Sequence, residues 1–288
     1  MSTTVGFVGL GRMGAPMVAT LRGAGWSVLP YDVSPAASAE AGGMDTIEEA
    51  FAADVVVLML PSSRQVEEVL GNDPTLDAMP ADAVVVDMGS SEPASTRRIG
   101  TVLRERGIGF VDAPVSGGVA RAVTGQLTIM VGGADDAVDR VRPLLASLGT
   151  PTRVGDLGAG HALKACNNVL NGISLLAAVE VLEVVRAFGI DPVVAFDVIN
   201  ASTGRSWSTE HKIPKYVLPE DYSAGFAAAL LAKDIGIACD LATSLGVEHG
   251  LMDVARSTWD RAADELPAGA DHTAVAAWAA ARRRGDGS

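Results

Sequence analysis

The loop Gly9-Leu10-Gly11-Arg12-Met13-Gly14 constrains this chain more than any other feature. It follows the short apolar run Val5-Gly6-Phe7-Val8 and precedes a helix-compatible stretch. Glycines at this G-x-G-x-x-G spacing have separate tasks. The first permits a tight turn after a strand, the second lets backbone approach a pyrophosphate, and the third lets the new helix pack on the sheet. The free N–H groups at the helix start then face the phosphate. Such a motif carries weight only in the right context, and a glycine-rich turn in any α/β protein is the plain alternative. Here a strand precedes it, a helix follows it, and Asp32 closes the next apolar run about 20 residues on, as the motif requires. The loop therefore predicts a dinucleotide site, with Gly9, Leu10, Gly11, Arg12, Met13, Gly14 and Asp32 as cofactor-binding residues. A carboxylate at Asp32 accepts hydrogen bonds from a ribose 2′-hydroxyl and repels a 2′-phosphate. No arginine follows it, since the next residues are Val33-Ser34-Pro35. NAD is thus expected over NADP. Asp32 also suits a turn or a helix N-cap.

The rest of the first half repeats the alternation of strand and helix. Apolar runs recur at 27–32, 54–60, 83–87, 109–112 and 127–131, and helix-compatible stretches such as 93–106 lie between them. Continuous β-branched runs suit strands buried on both faces of a mostly parallel sheet. Alternating with helices, they predict a doubly wound Rossmann-type domain over 1–157. Beyond it, strand-like runs vanish. Gly160 to Phe188 has no proline and one internal glycine, and reads as one long, largely buried helix that joins the two parts. Further helices are expected near 191–200, 224–246, 250–265 and 271–283, which makes 158–288 an all-α domain for substrate binding and oligomerisation. The tail from Arg282 to Ser288 reads as frayed and solvated.

Composition removes several classes of function. The 288 residues are 48% apolar and carry a formal net charge of −13. An acidic surface repels nucleic-acid phosphates and anionic lipid. The two cysteines, Cys166 and Cys239, have no metal-type spacing, and the four histidines are scattered, so no disulfide framework or metal site is expected. No secretory signal is evident at the N-terminus. No apolar run approaches the roughly 20 residues of a membrane span. The expectation is a soluble cytoplasmic protein.

The long helix carries an unusual polar stripe. Lys164 and Asn168 are four apart and share one face, with Asn167 and Asn171 on or near the same stripe. Oxidation of an alcohol needs a group to take the hydroxyl proton, and a lysine whose pKa is lowered by burial can serve. A snorkelling surface lysine beside structural asparagines is the alternative. Ser116-Gly117-Gly118 follows a strand end and a proline. Small residues there expose consecutive N–H groups that suit a carboxylate, or else make an ordinary turn. Lys233, beside Asp234, completes the candidate set or forms a surface ion pair. Trp207 and Phe226 are candidate apolar walls, with core packing the favoured role for each. Glu180 and Glu183 read as structural or interface residues.

Taken together, these segments resemble the β-hydroxyacid dehydrogenase family, and Ser202-Thr203-Gly204-Arg205-Ser206-Trp207-Ser208 is similar to its 3-hydroxyisobutyrate branch. The resemblance rests on Gly9–Met17, Asp112–Gly118, Gly158–Asn168 and Lys233-Asp234, in family order across nearly the whole chain. It implies NAD-dependent, reversible oxidation of a short β-hydroxy acid to its semialdehyde. Lys164 matches the catalytic lysine and Asn168 the asparagine that fixes the substrate. Ser116, Gly117 and Gly118 match the substrate-carboxylate motif, and Lys233 the lysine near substrate and nicotinamide. Leu60 and Pro61 match positions lining the cofactor. Ser90 stands where the family has a threonine, so a hydroxyl is kept. The same resemblance admits a reductase of tartronate, succinic or sulfolactaldehyde type, or an imine reductase. Imine reductases typically lack the lysine. A non-catalytic dinucleotide sensor is the competing class. The small-molecule partner is a hydroxy acid, and a homodimer or homotetramer is expected.

Overall fold

The computed structural model describes residues 3–283. The chain divides into two compact units, residues 1–164 and 165–288. The division falls inside the long helix rather than before it.

The first unit is built on one sheet. Its strands are β1 (Thr4–Val8), β2 (Ser27–Tyr31), β3 (Val55–Leu58), β4 (Val84–Asp87), β5 (Gly109–Asp112), β6 (Val115–Ser116), β7 (Leu127–Gly133) and β8 (Gly149–Gly155). The order is β2-β1-β3-β4-β5-β7-β6, with β8 on β7. β1 to β5 are parallel, and Val5 lies opposite both Val28 and Val55. All four residues of β3 and of β4 are buried, which explains their unbroken valine runs. On one face Phe7, Val57 and Val86 pack with Met17, Val18 and Leu21 of the first helix, Gly14–Gly23. On the other, Val56 and Val85 pack with Phe51, Val66 and Leu103. Each such side chain taken from water contributes about 1.5–3 kcal/mol. β6 and β8 depart from the expected pattern. β6 is two residues long and pairs antiparallel with β7, as β5 does. β8 contains Pro151 and runs parallel to β7.

The chain passes from β1 to β2 on one side and returns to β3 on the other. The crevice beyond the carboxyl ends of β1 and β3 is where such sheets take ligands. Gly9 N–H donates to Tyr31 O at 2.9 Å and Met59 N–H to Val8 O at 2.8 Å, so the strand pairing runs up to the glycine loop.

The long helix spans Ala159–Phe188. In the second unit its buried residues Val169, Leu175, Val179 and Leu182 pack with Leu231 and Ile235 of Ala228–Ser244 and with Trp259 of Gly250–Glu265. By length and composition this helix could cross a membrane, which corrects the expectation that no segment comes close. Its buried stripe is that of a core helix.

Ser208–Val217 forms a π-helix that the sequence did not announce. Pro214 has no N–H to offer the carbonyl of Thr209. Asn200 Nδ2 donates to that carbonyl at 3.1 Å instead, so the acceptor stays satisfied. Two expected helices begin late. Gly225 and Phe226 donate their N–H groups to Asp271 Oδ2, at 2.6 and 3.0 Å, and hold the chain extended before Ala228. The last helix opens with a 3₁₀ turn, His272–Ala274, before Val275–Arg283. Arg282 is not frayed: its guanidinium pairs with Glu265 Oε2 at 2.8 Å and lies over the Trp278 ring. Residues 284–288 of the expected tail lie outside the described residues.

Candidate active site

The glycine loop has the geometry of a ligand cradle. Gly9 adopts φ +101°, where a side chain is strained, and a Cβ there would lie 2.4 Å from Met59 O. At Gly14 a Cβ would lie 1.8 Å from Gly9 O, so the third glycine is needed for the loop to close. Gly11 differs. It is exposed, its φ is not positive, and nothing lies within 4 Å of where its Cβ would stand. The fold does not require a glycine there, but a ligand lying against the backbone does. The first helix leaves its opening N–H groups without intrahelical partners and has no acidic side chain in its first turn. These features fit a dinucleotide pyrophosphate.

Asp32 ties this loop to the second strand. Its Oδ2 accepts the N–H of Leu10 at 2.7 Å, and its Oδ1 accepts the N–H of Ser34 at 2.8 Å. The turn role and the ligand role coexist, because each carboxylate oxygen keeps a lone pair for a further donor. Leu10 turns its side chain into the core, Met13 packs against it, and Arg12 is exposed. Leu60 is half-buried and Pro61 exposed after β3, and Ser90 is half-buried after β4.

A buried network lies under these loops that sequence reasoning missed. Asp87 and Asp112 end β4 and β5, and both are fully buried. Asp87 accepts the N–H of Gly89 at 2.9 Å and the hydroxyl of Ser91 at 2.6 Å, which shapes the loop carrying Ser90. Asp112 accepts the N–H groups of Gly158 and His161, at 2.7 and 2.8 Å. An anion there complements the start of the long helix. The His161 ring is buried, 2.8 Å from Thr96 Oγ1 and 3.6 Å from Asp87 Oδ2. Lys164, half-buried, follows three residues later on the anchored turn. Only the clustering at successive strand ends signalled this network.

Ser116 closes β6 opposite Thr128, Gly117 and Gly118 take φ of +132° and +68°, and the helix Gly118–Val123 begins there. Both glycines are exposed.

In the second unit Asn168 is held on two sides. Its Nδ2 donates to Asp234 Oδ2 at 2.5 Å, and its Oδ1 accepts from Asn167 Nδ2 at 3.0 Å. Asp234 is buried, and Lys233 Nζ stands 3.1 Å from its other oxygen. Lys233 therefore has the ion pair considered for it, on a half-buried rather than a surface side chain. Asn171, one turn beyond Asn168, accepts a hydrogen bond from Lys212 Nζ. Lys212 is 5% exposed, and burial pushes its pKa down to about 7, opposed by the Asp271 carboxylate. Against the upward push of burial, hydrogen bonds from His272 and Thr273 hold the Asp271 carboxyl below the usual range. Burial also lowers His272, whose neighbour Asp271 works the other way. Phe226 is half-buried, edge-on to His272 with centroids 5.7 Å apart. Trp207 is not a core residue: it is 57% exposed and stacks on His211 at 3.7 Å. Glu180 is exposed, and Glu183 bonds Arg186 at 3.1 Å.

Residues 4–159 match the NAD-binding domain of 6-phosphogluconate dehydrogenase, and residues 158–279 match the NAD-binding domain of NADP-dependent 3-hydroxyisobutyrate dehydrogenase. The chain belongs to the β-hydroxyacid dehydrogenase family. It is 38% identical to 2-(hydroxymethyl)glutarate dehydrogenase of Eubacterium barkeri, over 83% of this chain and 82% of that one. It is 36% identical to the NAD-dependent L-serine dehydrogenase of Pseudomonas aeruginosa, over 83% and 85%. Among solved structures, 3-hydroxyisobutyrate dehydrogenase of Mycobacterium tuberculosis with L-serine superposes with a TM-score of 0.87 at 33% identity, covering 96% of this chain and 98% of that one. This family member is an oxidoreductase that uses NAD to oxidise a hydroxy acid; relatives that use NADP also exist.

Proposed function

We propose that this dehydrogenase interconverts a short β-hydroxy acid, of the 3-hydroxyisobutyrate type, and its semialdehyde. The reading rests chiefly on the stripe of the long helix. Lys164 and Asn168 are one turn apart on one face, and Asn168 is fixed by Asp234 and Asn167. The names of its relatives, which span hydroxymethylglutarate and serine dehydrogenases, support a β-hydroxy acid.

When bound, NAD would supply the hydride acceptor for oxidation of the carbinol carbon. Lys164, in its neutral form, takes the hydroxyl proton as the C–O bond becomes a carbonyl, and in reduction its ammonium returns that proton. Asn168 orients the hydroxyl, and a pre-bonded amide does so at little further loss of rotamer freedom. Ser116, Gly117 and Gly118 grip the carboxylate, and Lys233 adds positive charge. Gly9 to Gly14, Asp32, Leu60, Pro61 and Ser90 would hold the dinucleotide.

The test is Lys164→Ala assayed by NADH absorbance with a panel of hydroxy acids. General acid–base catalysis is worth about 10²–10⁴-fold, so kcat should fall by that order while NAD binding persists. Normal turnover by a folded variant would sink the mechanism. No NADH from the wild type with any hydroxy acid would favour the sensor. We also infer a homo-oligomer, because Val184, Phe188 and Val194 present exposed apolar surface that partners commonly cover. Sedimentation as a monomer at micromolar concentration would refute this.

A further inference from the structure

The stripe that carries Lys164 and Asn168 does not end with them. Asn171 lies three residues on and completes the spacing i, i+4, i+7 on one helical face. It stands about 4.5 Å further along the axis than Asn168. A substrate whose reacting hydroxyl sits at Lys164 and Asn168 therefore meets Asn171 with the end of a side chain two or three carbons long.

The orientation of the Asn171 amide is fixed. A lysine ammonium only donates, so the oxygen Oδ1 must face Lys212. The two hydrogens of Nδ2 are then what the amide presents, and no hydrogen bond from Nδ2 is found among the described residues. An ammonium behind Oδ1 polarises the amide and strengthens those donors. Lys212 is 5% exposed. The carboxylate that bears on it, Asp271, already accepts from the N–H groups of Gly225, Phe226 and Thr273 and from the Thr273 hydroxyl. Its Oδ1 also lies 3.2 Å from His272 Nδ1. Burial disfavours the Lys212 ammonium, which Asp271 favours, and an anion arriving at Asn171 would favour it further.

We propose that Asn171, backed by Lys212, is a specificity-determining subsite for a second carboxylate, at the end of the side chain of the hydroxy acid. Among acids of the 3-hydroxyisobutyrate type, the site thus prefers a hydroxymethyl dicarboxylate to 3-hydroxyisobutyrate itself. This inference rests on the reading of Lys164 and Asn168 as the reacting end of the site.

The test compares three substrates with NAD: 2-(hydroxymethyl)glutarate, its monocarboxylate isostere 2-(hydroxymethyl)-5-methylhexanoate, in which only the side-chain carboxylate is replaced, and 3-hydroxyisobutyrate. A charge-assisted hydrogen bond is worth roughly tenfold to a hundredfold. The wild type should favour the diacid over its isostere by that factor in kcat/KM, carried by KM. Asn171→Leu and Lys212→Met should each lower the preference toward unity. A wild type that oxidises 3-hydroxyisobutyrate but shows no preference for the diacid overturns the subsite alone. So does an equal loss on all three substrates in both variants, which marks a structural role. A wild type that oxidises none of the three overturns the dehydrogenase reading, and the subsite with it. If one variant does not fold, the wild-type ratio and the other variant still decide.

Discussion

Gly11→Ala separates what the glycine loop does for the fold from what it does for the cofactor. Nothing lies within 4 Å of the new methyl and the backbone is not left-handed, so the free protein should accept it. Its melting temperature should hold within about 2 °C, or rise slightly, as for a surface glycine replaced at a compatible position. The methyl instead occupies the space through which backbone approaches the pyrophosphate. Losing one backbone hydrogen bond to a phosphate forfeits roughly 1.5–3 kcal/mol, or about tenfold to a hundredfold in Kd for NAD. Gly14→Ala is the contrasting variant. Its Cβ would stand 1.8 Å from Gly9 O and 2.9 Å from Gly9 C, both backbone atoms that no rotamer change can move. Overpacking of this kind destabilises by about 1–3 kcal/mol, or roughly 3–10 °C, in addition to the lost binding. Calorimetric titration with NAD and thermal melts of the cofactor-free proteins measure both quantities. Wild-type NAD affinity in folded Gly11→Ala would refute the assignment of this loop as the phosphate cradle.

Three further outcomes follow from other residues. Asp234→Ala leaves the Asn168 amide without its 2.5 Å acceptor, and kcat should fall about tenfold or more with KM for NAD unchanged; an unaltered kcat shows that Asn168 needs no support. Asp32→Gly removes the acceptors of the Leu10 and Ser34 N–H groups and the charge that repels a 2′-phosphate, so NAD should bind about five- to thirtyfold more weakly and the NAD/NADP ratio should shrink, a shift that parallel titrations detect. Lys212→Met should stabilise the protein near neutral pH. The folded lysine titrates at about 7, and the unfolded one near 10.4, with Asp271 and His272 as the charged and titratable neighbours. Between those values the unfolded chain binds the extra proton, so wild-type stability rises with pH. The gap between variant and wild type should be fully present below about pH 7 and close toward pH 10, by on the order of 3 kcal/mol. Parallel melts at pH 7 and 9.5 check it, and a pH-independent gap contradicts the buried-ammonium assignment.

The sequence exposed those parts of the molecule whose physics is local. β1, β3, β4, β5 and β7 were legible because mostly buried strands read as continuous apolar runs, and β2, at the sheet edge, because Asp32 closes its run at the spacing the glycine loop requires. The glycine loop was legible because close backbone approach tolerates no other residue at Gly14. The stripe of Lys164 and Asn168 was legible because helical spacing is fixed. What escaped depends on partners distant in the chain. β8 is a strand because its backbone pairs with β7, whereas Pro151 and two glycines argue against one. The π-helix at Ser208–Val217 stands because Asn200 answers a carbonyl that Pro214 leaves unbonded. Asp87 and Asp112 merely close two apolar runs in the sequence, and their joint hold on His161, Gly158 and the Ser90 loop appears only in three dimensions. Lys212 sits in the polar-looking run Glu210-His211-Lys212-Ile213-Pro214-Lys215, which gives no hint that one of its lysines is buried.

The grip of Asp112 on Gly158 and His161 bears on how such enzymes can be recombined. The first turn of the long helix is moored to the end of β5, in the same unit that carries the glycine loop. Lys164 thus takes its place from the sheet, whatever sequence continues the helix. A chimera spliced just after Lys164 would transplant Asn168, Asn171, Lys212 and Lys233 as one cassette, while the cofactor cradle and the lysine stayed behind. The seam between the part of the chain held by the sheet and the part that carries the rest of the polar stripe falls, in this protein, in the middle of one helix.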